Sequence, residues 1–333
     1  MKTLSHKERL KLLLEGKEID RPPISFWRHF YPLETNPFDL ARAMIAFQKK
    51  FDWDFIKVNP RASYHTEGWG VKVKYSNDFL KKPQVKEHPI KKTLDWEKIS
   101  YLSPNKGALG EQLEALKIIK RELGKEVFAM MTVFSPLSVA GDLVSSEEKL
   151  LNDLKAYPQI IHQALGIISK TFGDFVLECL KCSADGIFFA TTQWASLDLL
   201  TEKEYLEFGK LYDLQVLNRI KDREFNILHV CGGNNMLSLF SDYPVSIVNW
   251  DATDPTNLSL KEGAKILNKV VAGGIDHNDL LKNGKPDEIK REIKRIINSH
   301  RDIKFILGPG CAISPLVPEV NLKAAREAVD EFR

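Results

Sequence analysis

The feature that most constrains this chain is a repeated alternation of short, apolar, β-rich runs with longer helical patterns. Eight such runs can be read: residues 24–27 (ISFW), 54–58 (DFIKV), 127–134 (VFAMMTVF), 184–190 (ADGIFFA), 225–230 (FNILHV), 246–250 (SIVNW), 269–274 (KVVAGG) and 303–308 (IKFILG). Several are continuously apolar, as expected of parallel strands covered on both faces. Between them, Ser5 with Glu8, Ser145 with Glu148, Thr201 with Glu204 and Ser259 with Glu262 have capping-box spacing ahead of apolar-periodic runs, and so mark helix starts. This alternation over 333 residues predicts an α/β fold, a (β/α)8 TIM barrel forming a single domain over 1–333. A doubly wound open sheet would show the same alternation. No G-x-G-x-x-G follows the first run, which weakens a dinucleotide-binding sheet.

Composition narrows the setting. A hydrophobic content of 43% supplies a full core. No apolar run approaches the roughly 20 residues of a membrane span, so no membrane partner is expected. The opening MKTLSHKERLKLLLEGKEID reads as an amphipathic helix and not as a signal peptide, which makes the cytoplasm the expected location. A net charge of +3, with both signs interspersed, gives no reason to expect nucleic acid. Four cysteines in a chain this long do not make a disulfide framework, which leaves metal binding or catalysis as their better use. No Pro/Gly/Ser-rich linker divides the chain. One connection is unusually long: residues 59–108 carry a plausible hairpin and no clear long helix. Such loops are commonly lids, and in a barrel this one would sit over the active face.

Barrel enzymes keep their chemistry at the C-terminal ends of the strands. The ends expected here carry Arg28 and His29; Asp54, Asn59 and then Glu67; Thr132 and Ser135; Thr191 and Gln193; His229 and Cys231; Asp251; Asp276 and His277; and Cys311. His229 and Cys231 are two apart, so in extended chain their side chains share a face. Cys311 lies in GPGCAISP, where glycine and proline let the backbone turn sharply. One imidazole and two thiolates suit Zn²⁺, and three protein ligands leave a fourth position open, as in catalytic zinc sites. The alternative is a satisfied core histidine and two small buried thiols. Cys179 and Cys182, in CLKC, end a helix at the opposite side of the sheet and read as helix packing. Arg28 and His29 would bind an acidic substrate or simply end a strand, and Glu67 is either a loop acid or part of the site. Asp251 and Asp276 are better read as helix N-caps, although Asp276, like Asn59 and Gln193, is also placed to meet substrate.

Several segments, in order, resemble the uroporphyrinogen decarboxylase superfamily of (β/α)8 barrels. RPPISFWRHF, DFIKVNPRASYHTEGWG, MTVFSPLSVAGDL, SADGIFFATTQWAS and VVAGGIDHNDLL are similar to successive strand regions of that family, and LHVCGGN and GPGCAISPLVPEVNLKAAREAV are the most specific pieces. Its decarboxylase branch uses arginines to hold a tetrapyrrole's carboxylates and an aspartate to stabilise the reacting pyrrole. Arg28 matches the first arginine and Asp54 falls where the aspartate is expected, but the second arginine is absent and Cys311 stands where a histidine would be.

The corrinoid-dependent methyltransferase branch, which includes enzymes that methylate coenzyme M, holds zinc with H-x-C and a later G-C-x-x-x-P. His229, Cys231 and Cys311 match all three positions. The resemblance implies a zinc-activated small thiol that takes a methyl group from a corrinoid on a partner protein, with Glu67 as a fourth ligand or proton acceptor. WRHF fits neither branch closely, and Lys57 with Asn59 makes the end of the second strand more polar than either requires.

Overall fold

Seven of the eight expected runs lie in one curled parallel sheet, a half-barrel, in the computed structural model, which describes residues 3–332. Among the described residues nine strands occur in chain order: β1 (Phe55–Val58), β2 (Lys72–Lys74), β3 (Gln84–Glu87), β4 (Phe128–Phe134), β5 (Gly186–Ala190), β6 (Ile227–Val230), β7 (Ile247–Trp250), β8 (Val270–Ile275) and β9 (Phe305–Pro309). The large sheet has the order β1-β4-β5-β6-β7-β8-β9, with every neighbour parallel, and β2 and β3 form a separate antiparallel pair. Long crossover connections carrying helices join the parallel strands, as parallel pairing requires.

The first expected run, 24–27, differs from its neighbours: it forms no ladder. Leu307 N donates to Pro23 O (2.9 Å) and Ser25 N to Leu307 O (3.2 Å), but Pro23 and Pro309 have no backbone donor to extend the pairing in either direction. The segment nonetheless lies between the two ends of the sheet. Ile24 bridges Leu307 of β9 and Arg28 bridges Ile313. Asp54 N donates to Ile24 O at 2.9 Å. The Ser25 hydroxyl takes the place of a ladder, accepting from Phe55 N (2.9 Å) and donating to Phe55 O (3.0 Å).

Period-two alternation sorts the strand residues onto two faces. One set, including Trp27, Phe55, Met130, Phe188, Ile227 and Ile306, packs as an inner cluster. The other, including Ile56, Val58, Met131, Phe189, Leu228 and Val248, packs against the surrounding helices. Continuing the inner parity toward the C-terminal ends gives Lys57, Thr132, His229 and Asn249. The inside of the sheet is therefore apolar below and polar on top.

The helix His6–Glu15 covers the other end, placing Leu10 and Leu13 against the inner cluster. Its capping box is formed by Ser5 and Glu8, and the boxes at Thr201/Glu204 and Ser259/Glu262 also form. The expected start at Ser145 is displaced by one residue. Ser146 is the cap, accepting from Lys149 N at 3.2 Å, which sets both Glu147 and Glu148 in the first turn, where the helix dipole favours acids. The 59–108 connection contains the expected hairpin, as β2 and β3, together with two 3₁₀ turns, Glu67–Trp69 and Thr93–Lys98.

Candidate metal centre

His229 is the last inward residue of β6, and Cys231 follows directly where the strand ends. Gly232 then turns the chain at a φ of 84°, a left-handed conformation that glycine adopts without strain. Cys311 arrives from β9 through Gly310. A Cβ on Gly310 would stand 2.6 Å from the backbone of Asp251, so only glycine lets this loop close onto β7. One Nδ1 or Nε2 atom of His229 and the two Sγ atoms all lie within 4.8 Å of one another, and the two Sγ atoms are 3.9 Å apart. Thiolates bound tetrahedrally at ~2.3 Å sit about 3.8 Å apart, so the spacing suits one zinc-sized ion.

The histidine is oriented. Its Nδ1 is 2.7 Å from Asn249 Oδ1, and Asn249 Nδ2 donates to Ala272 O (2.9 Å) and Pro309 O (3.0 Å). Two carbonyl acceptors fix the amide nitrogen on their side, which turns the amide oxygen to the imidazole. Nδ1 must then carry the proton, and Nε2 keeps its lone pair for a ligand bond. The two thiols are tightly linked. Hydrogen bonding to Cys311, then burial, pushes the Cys231 thiol up; the same bond, reinforced by His229, holds Cys311 down despite its burial.

The three residues open onto a cavity of about 120 Å³, lined also by Trp27, His29, Lys57, Asn59, Phe134 and Phe188. It admits only a small group. A groove of about 780 Å³ at the opposite end of the sheet, among Lys11, Lys265, Lys269 and Lys304, is larger, but none of the three ligands lines it.

Two of the expected substrate contacts reach the cavity. His29 lines it with its Nδ1 held 2.8 Å from Glu34, and Asn59 lies almost fully buried beside it. The others are engaged elsewhere. Arg28 turns away, its guanidinium 5.2 Å from the rings of both Phe30 and Phe47. Asp54 precedes β1 and so sits at the N-terminal end of the sheet, fully buried and bound by Arg9 (2.6 Å) and Arg21 (2.8 Å). A strand's length separates it from the thiols.

Glu67 is likewise consumed: it accepts from Arg61 twice (2.7 and 2.8 Å), from Ser63 (2.7 Å) and from Tyr75 (2.7 Å), bonds that hold it below the usual carboxylate range against the effect of burial. Among the described residues no carboxylate joins the three-ligand cluster. Gln193 is exposed, with Glu147 3.5 Å away. Asp276 caps the turn beyond β8, accepting from Asn278 N (2.9 Å) and Asp279 N (3.0 Å), and Asp251 does the same for Thr253 N (3.0 Å). Cys179 is buried inside the helix Pro158–Lys181 and Cys182 is its C-cap.

Two residues of the site were not singled out from sequence. Asn249 shows there only as a polar residue inside SIVNW; its meaning depends on the β6–β7 register, which sets it beside His229. Lys57 was visible as an oddity. Its parity with Phe55 was the available signal, since a lysine continuing an inward apolar position must enter the cavity. Burial lowers its pKa to about 8, with Cys311, Glu34 and Cys231 partly offsetting that.

Known proteins match this architecture over its whole length. The description "Uroporphyrinogen decarboxylase (URO-D)" matches residues 5–332. The chain belongs to this family. Within it, a methylcobamide:CoM methyltransferase (MtbA) of Methanosarcina acetivorans is 25% identical over 270 residues, 80% of this chain and 76% of the relative. A uroporphyrinogen decarboxylase of Prochlorococcus marinus is 25% identical over 345 residues, covering 95% and 96%. Among solved structures, a methyltransferase from Methanosarcina mazei superimposes with a TM-score of 0.84 at 25% identity over 99% of both chains. The protein is an enzyme, and the methyltransferase relative and the structural neighbour support methyl transfer as its activity. No helix among the described residues is long and apolar enough to cross a membrane.

Proposed function

We propose that the protein is a zinc-dependent methyltransferase of the cytoplasm that activates a small thiol and methylates it from a corrinoid carried by a partner protein. We further propose that residues 24–27 close the half-barrel into the eight-stranded barrel of the family, and that residues 59–108 form a lid beside its mouth. The observation that carries the reading is the pre-set ligand triad: two thiols at 3.9 Å and a histidine whose tautomer leaves one nitrogen free, all opening on a small cavity.

His229, Cys231 and Cys311 would hold the ion, which when bound lowers the pKa of a thiol completing its coordination. The chain does the rest. Asn249 keeps His229 in its ligating tautomer. Trp27, Phe134 and Phe188 wall the cavity and limit water around a thiolate, whose nucleophilicity rises as its hydration falls. The S–CH₃ bond forms as the bond between methyl and donor breaks, with the electron pair left on the donor; the thiol's proton has already gone to solvent. The relatives named as methylcobamide:CoM methyltransferases support a corrinoid donor and a thiol acceptor. Decarboxylation of a tetrapyrrole finds less support: Arg28 and Asp54, the residues that resemblance assigns to it, face away from the cavity, and about 120 Å³ is too small for four pyrroles.

Elemental analysis of wild type and Cys311→Ser, purified without added zinc, tests the reading. About one zinc per chain, lost or much reduced in the mutant, is expected. A wild type that stays free of zinc after reconstitution would sink it.

A further inference from the structure

Lys57 is an odd residue to find at the mouth of a metal centre. Its ammonium lies in the same cavity as the three ligands and bonds to Asn59 Oδ1. It sits 4.7 Å from the centroid of the Phe188 ring. No ion pair with a carboxylate serves it among the described residues. Buried lysines without a partner are costly, and an inward position on β1 would be filled more cheaply by an apolar residue. The charged and titratable groups facing it are Cys231, Cys311, His229 and His29, with Glu34 behind His29 and already bound to it and to Phe30 N.

Charge balance explains the placement. Two thiolates and a neutral imidazole cancel the charge of a divalent zinc ion. A third thiolate in the open position leaves one uncompensated negative charge in a cavity walled by aromatic rings. We propose that Lys57 supplies the compensating positive charge, making it the residue that stabilises the bound thiolate of the substrate rather than a ligand or a general base. The inference rests on the thiol-activating reading above and adds a residue to it. The thiol proton still leaves to solvent, and Lys57 does not accept it.

The test uses full-length protein reconstituted with Co²⁺, as wild type, Lys57→Met and Lys57→Arg, titrated with 2-mercaptoethanol across pH. The readout is the rise in sulfur-to-metal charge-transfer absorption when a third thiolate binds, which needs no methyl donor. A neutral thiol is chosen so that Lys57 cannot act by grasping an anionic tail. In Lys57→Met the pH midpoint of that rise should move up by about one unit or more, the usual effect of removing a nearby opposite charge. In Lys57→Arg it should return toward wild type. Metal content should be equal in all three. Loss of the bond to Asn59 lowers stability whatever the role of Lys57, so the pH midpoint is the readout that a purely structural lysine would leave unmoved. An unmoved midpoint overturns the assignment of Lys57 alone. A shift seen with mercaptoacetate but absent with 2-mercaptoethanol also overturns it, in favour of tail recognition. Cobalt-loaded wild type that shows no rise with either thiol overturns thiol activation itself, and Lys57's role with it.

Discussion

The two ends of the sheet both bury charge, but they treat it in opposite ways. At the N-terminal end, Asp54 is fully enclosed and every acceptor is used: Arg9 and Arg21 reach it at 2.6 and 2.8 Å, His6 at 2.9 Å, and Ile24 N at 2.7 Å. Arg9 also grips Asp20 through two bonds of 2.7 and 2.8 Å. At the C-terminal end, the thiol pair, the free nitrogen of His229 and the ammonium of Lys57 face a cavity with few partners. Satisfied charge fixes a structure, whereas charge left wanting a partner is what a ligand can answer. The contrast supports the proposal that the C-terminal end is the working one, without reference to any relative.

The sharpest way to break the comparison is Asp54→Asn. It removes the one carboxylate that Arg9, Arg21 and His6 share, leaving the buried Arg21 without its nearest counter-ion, while Arg9 keeps Asp20 and His6 keeps Asp52. Such disruptions cost about 3–5 kcal/mol, so a large drop in urea midpoint is expected. The fraction that folds should still take up a full complement of zinc. Normal stability combined with lost activity would mean that Asp54 works in the reaction after all, and the division between the two ends would fail.

Much of this division can be read in the sequence, and the limits are physical. Seven strands are legible because both of their faces are buried, which leaves runs such as VFAMMTVF that nothing else explains. The segment 24–27 reads the same way, yet two prolines keep it from forming a ladder, and hydrogen-bond supply is invisible to hydropathy. His229, Cys231 and Cys311 are found from spacing because strand parity and sharp turns are local properties. Asp54 near a strand end looks the same in sequence whether it meets a cavity or arginines distant along the chain, whereas Glu67 is engaged by Arg61, Ser63 and Tyr75, close in sequence, through the folding of its own loop. Arg9 and Arg21 lie 45 and 33 residues from Asp54. Asn249 is silent for the same cause, since its role is set by register across β6 and β7 and not by its neighbours along the chain.

A smaller effect sharpens the picture of the C-terminal end. Asn249→Ala removes the acceptor that holds the His229 tautomer while leaving all three ligands in place. Loss of such an orienting bond typically weakens metal affinity by about 10–100-fold. Competition against a chelator should show that loss, with stoichiometry still one zinc per chain at saturation. Unchanged affinity would mean that ligand geometry alone orients the imidazole.

The smallest expected effect returns to the N-terminal end and concerns pH. Burial alone would lower the pKa of His6, but its bonds to Asp52 (3.0 Å) and Asp54 (2.9 Å) outweigh that and raise it to about 9 from an ordinary 6.5. A histidine whose folded pKa is raised adds stability that is fully present below pH ~6.5 and fades as pH climbs through ~9. Partial exposure on the side of Asp52 screens the interaction, so the contribution is on the order of 1–2 kcal/mol. Urea unfolding at about pH 6 and pH 9.5 should therefore show wild type losing that amount over the interval, and His6→Gln losing less because its side chain does not titrate. Zinc binding at the far end should be indifferent to the substitution at both pH values. If His6→Gln instead changed zinc affinity, the two ends would be coupled through the strands, and the N-terminal charges would have to be counted as part of the working site.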